Sequence, residues 1–407
     1  MTTFDSSPQL CSETLPHDAL LSAEARLMRV AVRPERVMLR GQGSYLWDDL
    51  GARYLDFVQG WAVNALGHAP PEIAAALQHQ SALLINASPA FHNLPQLRFA
   101  GALADAAGLS QVHFANSGAE ANEAALKLAR KWGRLHRGGA YRIITTEGSF
   151  HGRTLALMAA SGKPGWEAMY PPKMPGFVKA PFGDVAAIAA LIGSETVAVM
   201  VEPIQGEAGV VVPPEGYLRE LRRLCDEHGL LLICDEVQTG MGRTGSLFAY
   251  QQEGARPDIL TLGKGLGGGV PISAVLANSR ASCFAPGDQG GTYNGNPLMV
   301  AVASSVFDVV SNEAFLTNVR ASGHYLERRL QGICEVHGFA MRGRGLLRAL
   351  LLPHDDAESI VRRCFASGLL VNAPRPNVLR LMPSLRVTNS EIDEMADLLE
   401  RVLLASS

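Results

Sequence analysis

The stretch Ile259-Leu260-Thr261-Leu262-Gly263-Lys264-Gly265-Leu266-Gly267-Gly268-Gly269-Val270-Pro271 delivers one lysine from a short apolar run into a glycine-rich turn. A second apolar run, Ile272 to Leu276, follows at once. A lysine at the end of a buried strand must have its charge desolvated or neutralised. Burial lowers its pKa and makes it a nucleophilic amine, able to form a Schiff base with a carbonyl. Taken alone, a Lys-Gly pair is more often an exposed loop residue. Residues 263–268 also match G-x-G-x-x-G after a strand. Pro271 and the β-like run behind it leave no helix to receive a pyrophosphate, so the dinucleotide reading fails.

Outward from this stretch, apolar or β-branched runs recur at 112–115, 141–146, 197–201, 230–234, 259–262 and 272–276. Helical segments intervene at about 119–134, 185–192 and 216–228. Near-continuous apolar strands separated by helices predict an α/β fold, a largely parallel sheet covered on both faces. Upstream, Val37–Leu39, Tyr45–Trp47 and Tyr54–Phe57 are separated by Gly41, Gly43, Asp48-Asp49 and Gly51, which suits a small antiparallel meander. Pro70-Pro71-Glu72 then opens a helix running to about Leu84. Downstream, a helix from Pro297 to about Val310 leads out of the sheet layer. A second helix at 315–330, short strands near 346–352 and 378–382, and a closing helix from Glu391 follow. The expected organisation is a loose arm over residues 1–25, a first part of a small α+β domain at 26–66, a large domain at 67–296, and a linking helix with the rest of the small domain at 297–407.

A net charge of −3 and 18% charged residues give no reason to expect nucleic acid or an anionic membrane as partner. Six scattered cysteines without C-x-x-C spacing argue against a zinc site or a disulfide framework, so no metal is expected. The first 25 residues hold no lysine or arginine and no apolar core of a secretory signal. No apolar run reaches the roughly 18 residues of a membrane span. A cytoplasmic protein is expected.

Three further sites carry chemistry. Asn116-Ser117-Gly118-Ala119-Glu120 lies between a strand and an amphipathic helix whose Ala121, Ala125, Leu128 and Trp132 share one face. Free amides at a helix start beside a serine and a glycine make an anion site; a plain N-cap by Ser117 is the competing reading. Phe150-His151-Gly152-Arg153 follows a strand, where Phe150 would cover a planar ring and Arg153 fork onto a carboxylate. Leu230–Cys234 ends in Asp235-Glu236-Val237-Gln238, and a buried aspartate needs a cationic or metal partner. The strand resembles a Walker B segment, but no G-x-x-x-x-G-K-[ST] is present. A phosphate cradle, a stacking aromatic, a buried aspartate and a strand-end lysine together fit pyridoxal phosphate: the lysine holds the aldehyde, and the aspartate keeps the ring nitrogen protonated.

In wording, these blocks resemble the class III (ω-amino-acid) aminotransferases of fold type I, over about residues 30–405. The similar strings are YLDF at 54, AVNALGH at 62, FANSGAEANEAALKLARKWG at 114, SFHGRT at 149 and VEPIQGEAGVVVP at 201. DEVQTGMGRTG at 235, TLGKGLGGGVPISA at 261, GGTYNGNPL at 290 and LRLMPSL at 379 continue the series. Within the class the wording is closest to the acetylornithine aminotransferases. The resemblance implies Lys264 as the Schiff-base lysine and proton shuttle, Asp235 on the pyridinium nitrogen and Gln238 on the phenolic oxygen. It places Phe150 and Val237 on the two ring faces. Ser117, Gly118 and Ala119 would hold the phosphate, with Thr292 arriving from the other subunit of a homodimer. Arg153 would bind the distal carboxylate, and Arg380 the carboxylate beside the reacting carbon of glutamate or 2-oxoglutarate. Glu207 would neutralise Arg380 while an ω-amine donor is bound.

The activity so implied is transfer of the δ-amino group of N-acetyl-L-ornithine to 2-oxoglutarate, in arginine biosynthesis. Ornithine, succinylornithine, succinyl-diaminopimelate and 4-aminobutyrate remain alternative donors; decarboxylation or amine migration on the same fold is the more distant alternative. Ala119 stands where many relatives carry threonine, Gly291 where many carry serine, and Ala31 where many carry tyrosine. With the bulky Trp61 and the Ser88–Phe91 segment, these departures bear on substrate choice.

Overall fold

The computed structural model describes residues 17–405; the expected arm falls outside it over residues 1–16. His17–Ser22 is a short helix and Ala23–Arg26 a single helical turn. The N-terminal meander is present as β1 (Met38–Gln42), β2 (Tyr45–Asp48) and β3 (Arg53–Asp56), paired antiparallel in chain order. Asp48 closes the β2–β3 turn by accepting the amides of Leu50 and Ala52 at 3.0 and 2.8 Å.

Seven strands make the central sheet: β4 (Gln111–Ala115), β5 (Arg142–Thr146), β6 (Phe177–Ala180), β7 (Thr196–Val201), β8 (Leu231–Asp235), β9 (Ile259–Leu262) and β10 (Ser273–Ala277). Their spatial order is β4-β10-β9-β8-β7-β5-β6. The pairs from β9 across to β6 are parallel, while β10 runs antiparallel to both neighbours. That reversal follows from the opening stretch: only the short glycine turn separates β9 from β10, too little chain for a parallel crossover. Every residue of β7, β8, β9 and β10 is buried, which explains their unbroken apolar wording. Each fully buried Ile, Leu or Val there contributes about 1.5–3 kcal/mol.

The edge strand β6 escapes the sequence pattern, since Phe177, Val178 and Lys179 are only half-buried and its alternation is short. The helix Leu94–Ala107 is likewise absent from the expected elements; Asn93 caps it by accepting the Gln96 amide, with Pro95 in its first turn. The helix Gly118–His136 buries Ala121, Ala125, Leu128 and Trp132 as its periodicity predicts, and packs on β9, β10 and β7.

The helix Pro297–Val310 packs against the helices Pro71–Ser81 and Leu94–Ala107. After the long helix Glu313–His337 comes an antiparallel sheet in the order β11 (Ala340–Arg344), β12 (Leu347–Leu351), β15 (Val378–Leu381), β14 (Asn372–Arg375). The short β13 (Leu369–Leu370) pairs parallel with β3, joining the last third of the chain to the first meander. The closing helix Asn389–Leu404 is capped by Thr388 and reaches back to the same meander, where Tyr45 donates to Glu394 at 2.8 Å. No single helix among the described residues is long and apolar enough to cross a membrane.

Candidate active site

The carboxyl ends of β5, β7, β8 and β9 open onto a cavity of about 280 Å³, where ligands gather in parallel sheets. Nine of the residues expected from the sequence line it: Gly118, Ala119, Phe150, Arg153, Glu207, Asp235, Val237, Gln238 and Lys264. Asn122, His151, Gly152 and Glu202 complete the wall. Ser117 sits just outside, Arg380 stands behind Glu207, and Gly291 and Thr292 lie elsewhere on this chain.

Asp235 and Lys264 come from neighbouring parallel strands, with Asp235 opposite Thr261 in the β8–β9 register. Lys264 opens a helical turn at φ 43°, a left-handed conformation that costs a non-glycine residue about 1–2 kcal/mol. Burial pushes its amine below the ordinary lysine range, against the carboxylates of Glu207, Asp235 and Glu202.

The carboxylate of Asp235 is held from several sides. Its Oδ2 accepts from Asn122 Nδ2 and from His151 Nδ1, both at 2.8 Å. Its Oδ1 accepts the Val237 amide at 3.0 Å and faces the Thr261 hydroxyl at 3.4 Å. Because a carboxylate only accepts, His151 Nδ1 carries the proton, and its buried Nε2 has no partner among the described residues. Asn122 also bonds the His151 carbonyl at 2.7 Å and accepts from Thr261 at 2.7 Å, so one network fixes the aspartate. Sequence reasoning passes over Asn122, His151 and Thr261. A trace exists for Asn122, a polar residue beside the apolar face formed by Ala121 and Ala125.

At the start of the helix Gly118–His136, Ser117 and Glu120 form a capping box: Ser117 Oγ accepts the Glu120 amide at 3.2 Å, and Glu120 accepts the Ser117 amide at 2.9 Å. The N-cap reading of Ser117 is thus realised in the fold. The amides of Gly118 and Ala119, in the first turn, have no intrahelical acceptor and remain to receive an anion. A side chain at Gly118 would come within 2.7 Å of Val237 Cγ1, so glycine here lets the helix approach the Val237 side of the cavity. The Phe150 ring is backed edge-on by Trp166, with centroids 5.4 Å apart.

Behind the cavity, fully buried Arg380 donates to Glu207 Oε1 at 2.7 Å, to the Gly206 carbonyl at 2.9 Å and to Asn372 Oδ1 at 3.0 Å. Its Nη2 has no partner among the described residues. Burial opposes ionisation of Glu207, but the charges of Arg380 and Lys264 outweigh it and hold the carboxyl below its ordinary value. Thr292 lies on the exposed side of the chain, its carbonyl 3.5 Å from Asn86 Nδ2. Trp61 is about half-exposed at φ 62°, and Phe91 is exposed; neither lines this cavity.

A family description, Aminotransferase class-III, matches residues 28–403. The chain belongs to that family. This class III aminotransferase is 55% identical over 383 residues to acetylornithine aminotransferase 2 of Bordetella bronchiseptica, covering 93% of this chain and 97% of the relative. It is 53% identical over 387 residues to the acetylornithine aminotransferase of Ralstonia nicotianae, covering 93% and 97%. Among solved structures, the ornithine aminotransferase of Toxoplasma gondii superposes with a TM-score of 0.90 at 33% identity, covering 97% of this chain and 96% of that one. The N-acetylornithine aminotransferase of Stenotrophomonas maltophilia gives 0.82 at 36% identity, covering 95% and 98%. The architecture is the fold type I arrangement of this class, and the enzyme's cofactor is pyridoxal 5'-phosphate.

The residues present fit that cofactor. A helix start offers amides to a phosphate, a buried carboxylate faces the cavity where a protonated ring nitrogen could sit, and the buried Gln238 Nε2, a donor, has no partner among the described residues. Lys264 brings an amine to the same cavity.

Proposed function

We propose that this class III aminotransferase moves the δ-amino group of N-acetyl-L-ornithine to 2-oxoglutarate, giving N-acetyl-L-glutamate 5-semialdehyde and L-glutamate, a step of arginine biosynthesis. Relatives named for that activity match almost the whole chain at 53–55% identity. The observation that carries the reading is the Glu207–Arg380 pair, whose Nη2 is unpartnered among the described residues. The pair presents no net charge to an ω-amine. When Glu207 swings aside, a guanidinium edge is offered to a carboxylate, and one site serves two donors of different shape.

When bound, pyridoxal phosphate carries the amino group between donors and draws off the electron pair left by proton loss. The Gly118 and Ala119 amides would hold its phosphate, Phe150 and Val237 its ring faces, Gln238 its phenolic oxygen and Asp235 its ring nitrogen. Lys264, whose amine burial pushes below the ordinary lysine range, would take the proton from the donor carbon and return it. Arg153, exposed at the mouth, would take the α-carboxylate of N-acetylornithine or the side-chain carboxylate of glutamate.

We further propose a cytoplasmic homodimer, with residues 67–296 as the cofactor-binding domain and 26–66 joined to 297–407 as the second. Support for the dimer comes from the surface around Thr292. Hydrogen bonds from Asn86 to Thr292 and from Asn93 to Gly295 join two segments that expose Leu83, Ile85, Phe91, Leu94 and Tyr293. An apolar patch of that kind marks a protein contact. Thr292 and Gly291 would thereby reach a partner's cavity rather than their own. Ornithine is the second reading, favoured by the structural match to the Toxoplasma enzyme. A panel of amino donors assayed with 2-oxoglutarate decides between them: activity on ornithine without activity on N-acetylornithine would sink the preferred substrate.

A further inference from the structure

Glu202, the first residue beyond β7, has no part in the mechanism above. It lines the cavity and is 7% exposed. Its Oε2 accepts the Phe150 amide at 3.1 Å, its one hydrogen bond among the described residues. Three carboxyl groups thus line one cavity: Glu202, Asp235 at the end of β8, and Glu207 on the connection after β7. Lys264, beyond β9, and Arg153 line it as well.

Carboxylates crowded into a buried site do not all ionise. Asp235 is stabilised as an anion by Asn122, His151 and the Val237 amide, and Glu207 by Arg380. Glu202 has a single neutral donor, so the proton falls to it. Burial first, and the charge of Asp235 second, push its carboxyl well above the ordinary range, while the Phe150 amide, Lys264 and its own neighbour Glu207 complete the field.

We propose that Glu202 is a positioning residue that works as a neutral carboxylic acid, holding the Phe150 backbone at the cavity wall and leaving Asp235 the lone anion facing the cofactor ring. It acts through Phe150 and Asp235. With Oε2 accepting the amide, the proton sits on Oε1. Ionised, it would add a second negative charge beside Lys264, raise that amine's proton affinity and weaken the pairing reserved for Asp235. The neutral form has a close mimic in glutamine, whose Oε1 can accept the same amide; alanine removes the acceptor and aspartate shortens its reach.

The experiment uses the full-length protein. Infrared difference spectra of cofactor-free wild type against Glu202→Gln at neutral pH are expected to show a protonated-carboxyl band that the variant lacks. Titrating cofactor-free protein with pyridoxal phosphate should give Glu202→Gln an affinity within about threefold of wild type, and Glu202→Ala one about tenfold weaker, the worth of one buried hydrogen bond. In the loaded enzyme, the alkaline limb of kcat/KM should move in Glu202→Gln while its neutral-pH value stays within about threefold. A carboxylate band in place of the protonated one, or Gln as damaging as Ala, overturns the proposal. The proposal rests on the cofactor reading but not on the donor: if N-acetylornithine is the wrong substrate, wild type fails the donor panel while the cofactor-free measurements stand.

Discussion

Glu207→Gln tests the two-donor switch with almost no change of shape. In the wild type, a carboxylate entering beside Arg380 must first displace Glu207 from a 2.7 Å charge-assisted bond. Such a bond is worth about 1.5–3 kcal/mol net, against about 1 for a neutral acceptor, so glutamine lowers the cost of release by about 1.5 kcal/mol. Solvent screening is modest, since the Arg380 side chain is 0% and the Glu207 side chain 23% exposed. Glutamate should therefore bind about tenfold more tightly. N-acetylornithine puts only methylenes there and would meet a guanidinium whose charge is no longer neutralised. Its half-reaction should weaken by about the same factor, moving the ratio of the two about a hundredfold. The two half-reactions are followed separately by stopped-flow absorbance of the cofactor under single-turnover conditions. If both change by the same factor, or if the preference moves toward N-acetylornithine, the assignment of this pair is wrong.

Lys264→Ala should abolish both half-reactions while cofactor stays bound without a covalent link, read by turnover and by the cofactor retained after gel filtration. Gly133→Ala would drive a methyl into the Ala140 carbonyl and to 2.8 Å from Val197 Cγ2, with backbone on one side unable to yield. It should destabilise by about 1–3 kcal/mol, seen as a lowered Tm, with half-reaction rates at 25 °C nearly intact. Glu236, buried and pushed up to about 7 mainly by burial, accepts the Ala249 and Tyr250 amides at 2.6 and 2.8 Å. The folded state then binds its proton more tightly than the unfolded chain, so this group's contribution to stability falls as pH rises from about 4.5 to about 7, by about 3 kcal/mol. Denaturant titrations at several pH values should show wild type losing stability relative to Glu236→Gln across that window; parallel curves would refute it.

The sheet is legible because β7, β8 and β9 are buried on both faces and must be apolar throughout. The same physics hides β6: an edge strand half-covered by helices needs no such wording, and Lys179 breaks its pattern. The alanine-rich helix Leu94–Ala107 also shows only a shallow contrast between its faces. Asp235 and Lys264 stand out because charged residues ending apolar strands demand an explanation. Asn122, Thr261 and His151 do not stand out, for the opposite reason. A buried polar residue satisfied by others distant in sequence carries no local signature: Asn122 meets Asp235 across 113 positions and Thr261 across 139. Ser117 shows a further limit, since capping a helix and holding a phosphate ask for the same residue at the same place.

The seating of β10 between β4 and β9 has a kinetic consequence. β4, at the edge of the described sheet, cannot acquire its neighbour β10 until residues 273–277 exist. Arg380 and the Met382 amide that bonds the Phe57 carbonyl arrive later still. Contacts so distant in sequence slow folding, because a long loop must close before they stabilise anything. At about 5–20 residues per second of synthesis, several seconds separate the appearance of Lys264 from that of Arg380. During that interval Glu207 stands without Arg380, and the Phe57 carbonyl without the Met382 amide. Strand edges and apolar surface left open for that long favour aggregation over the native pairing.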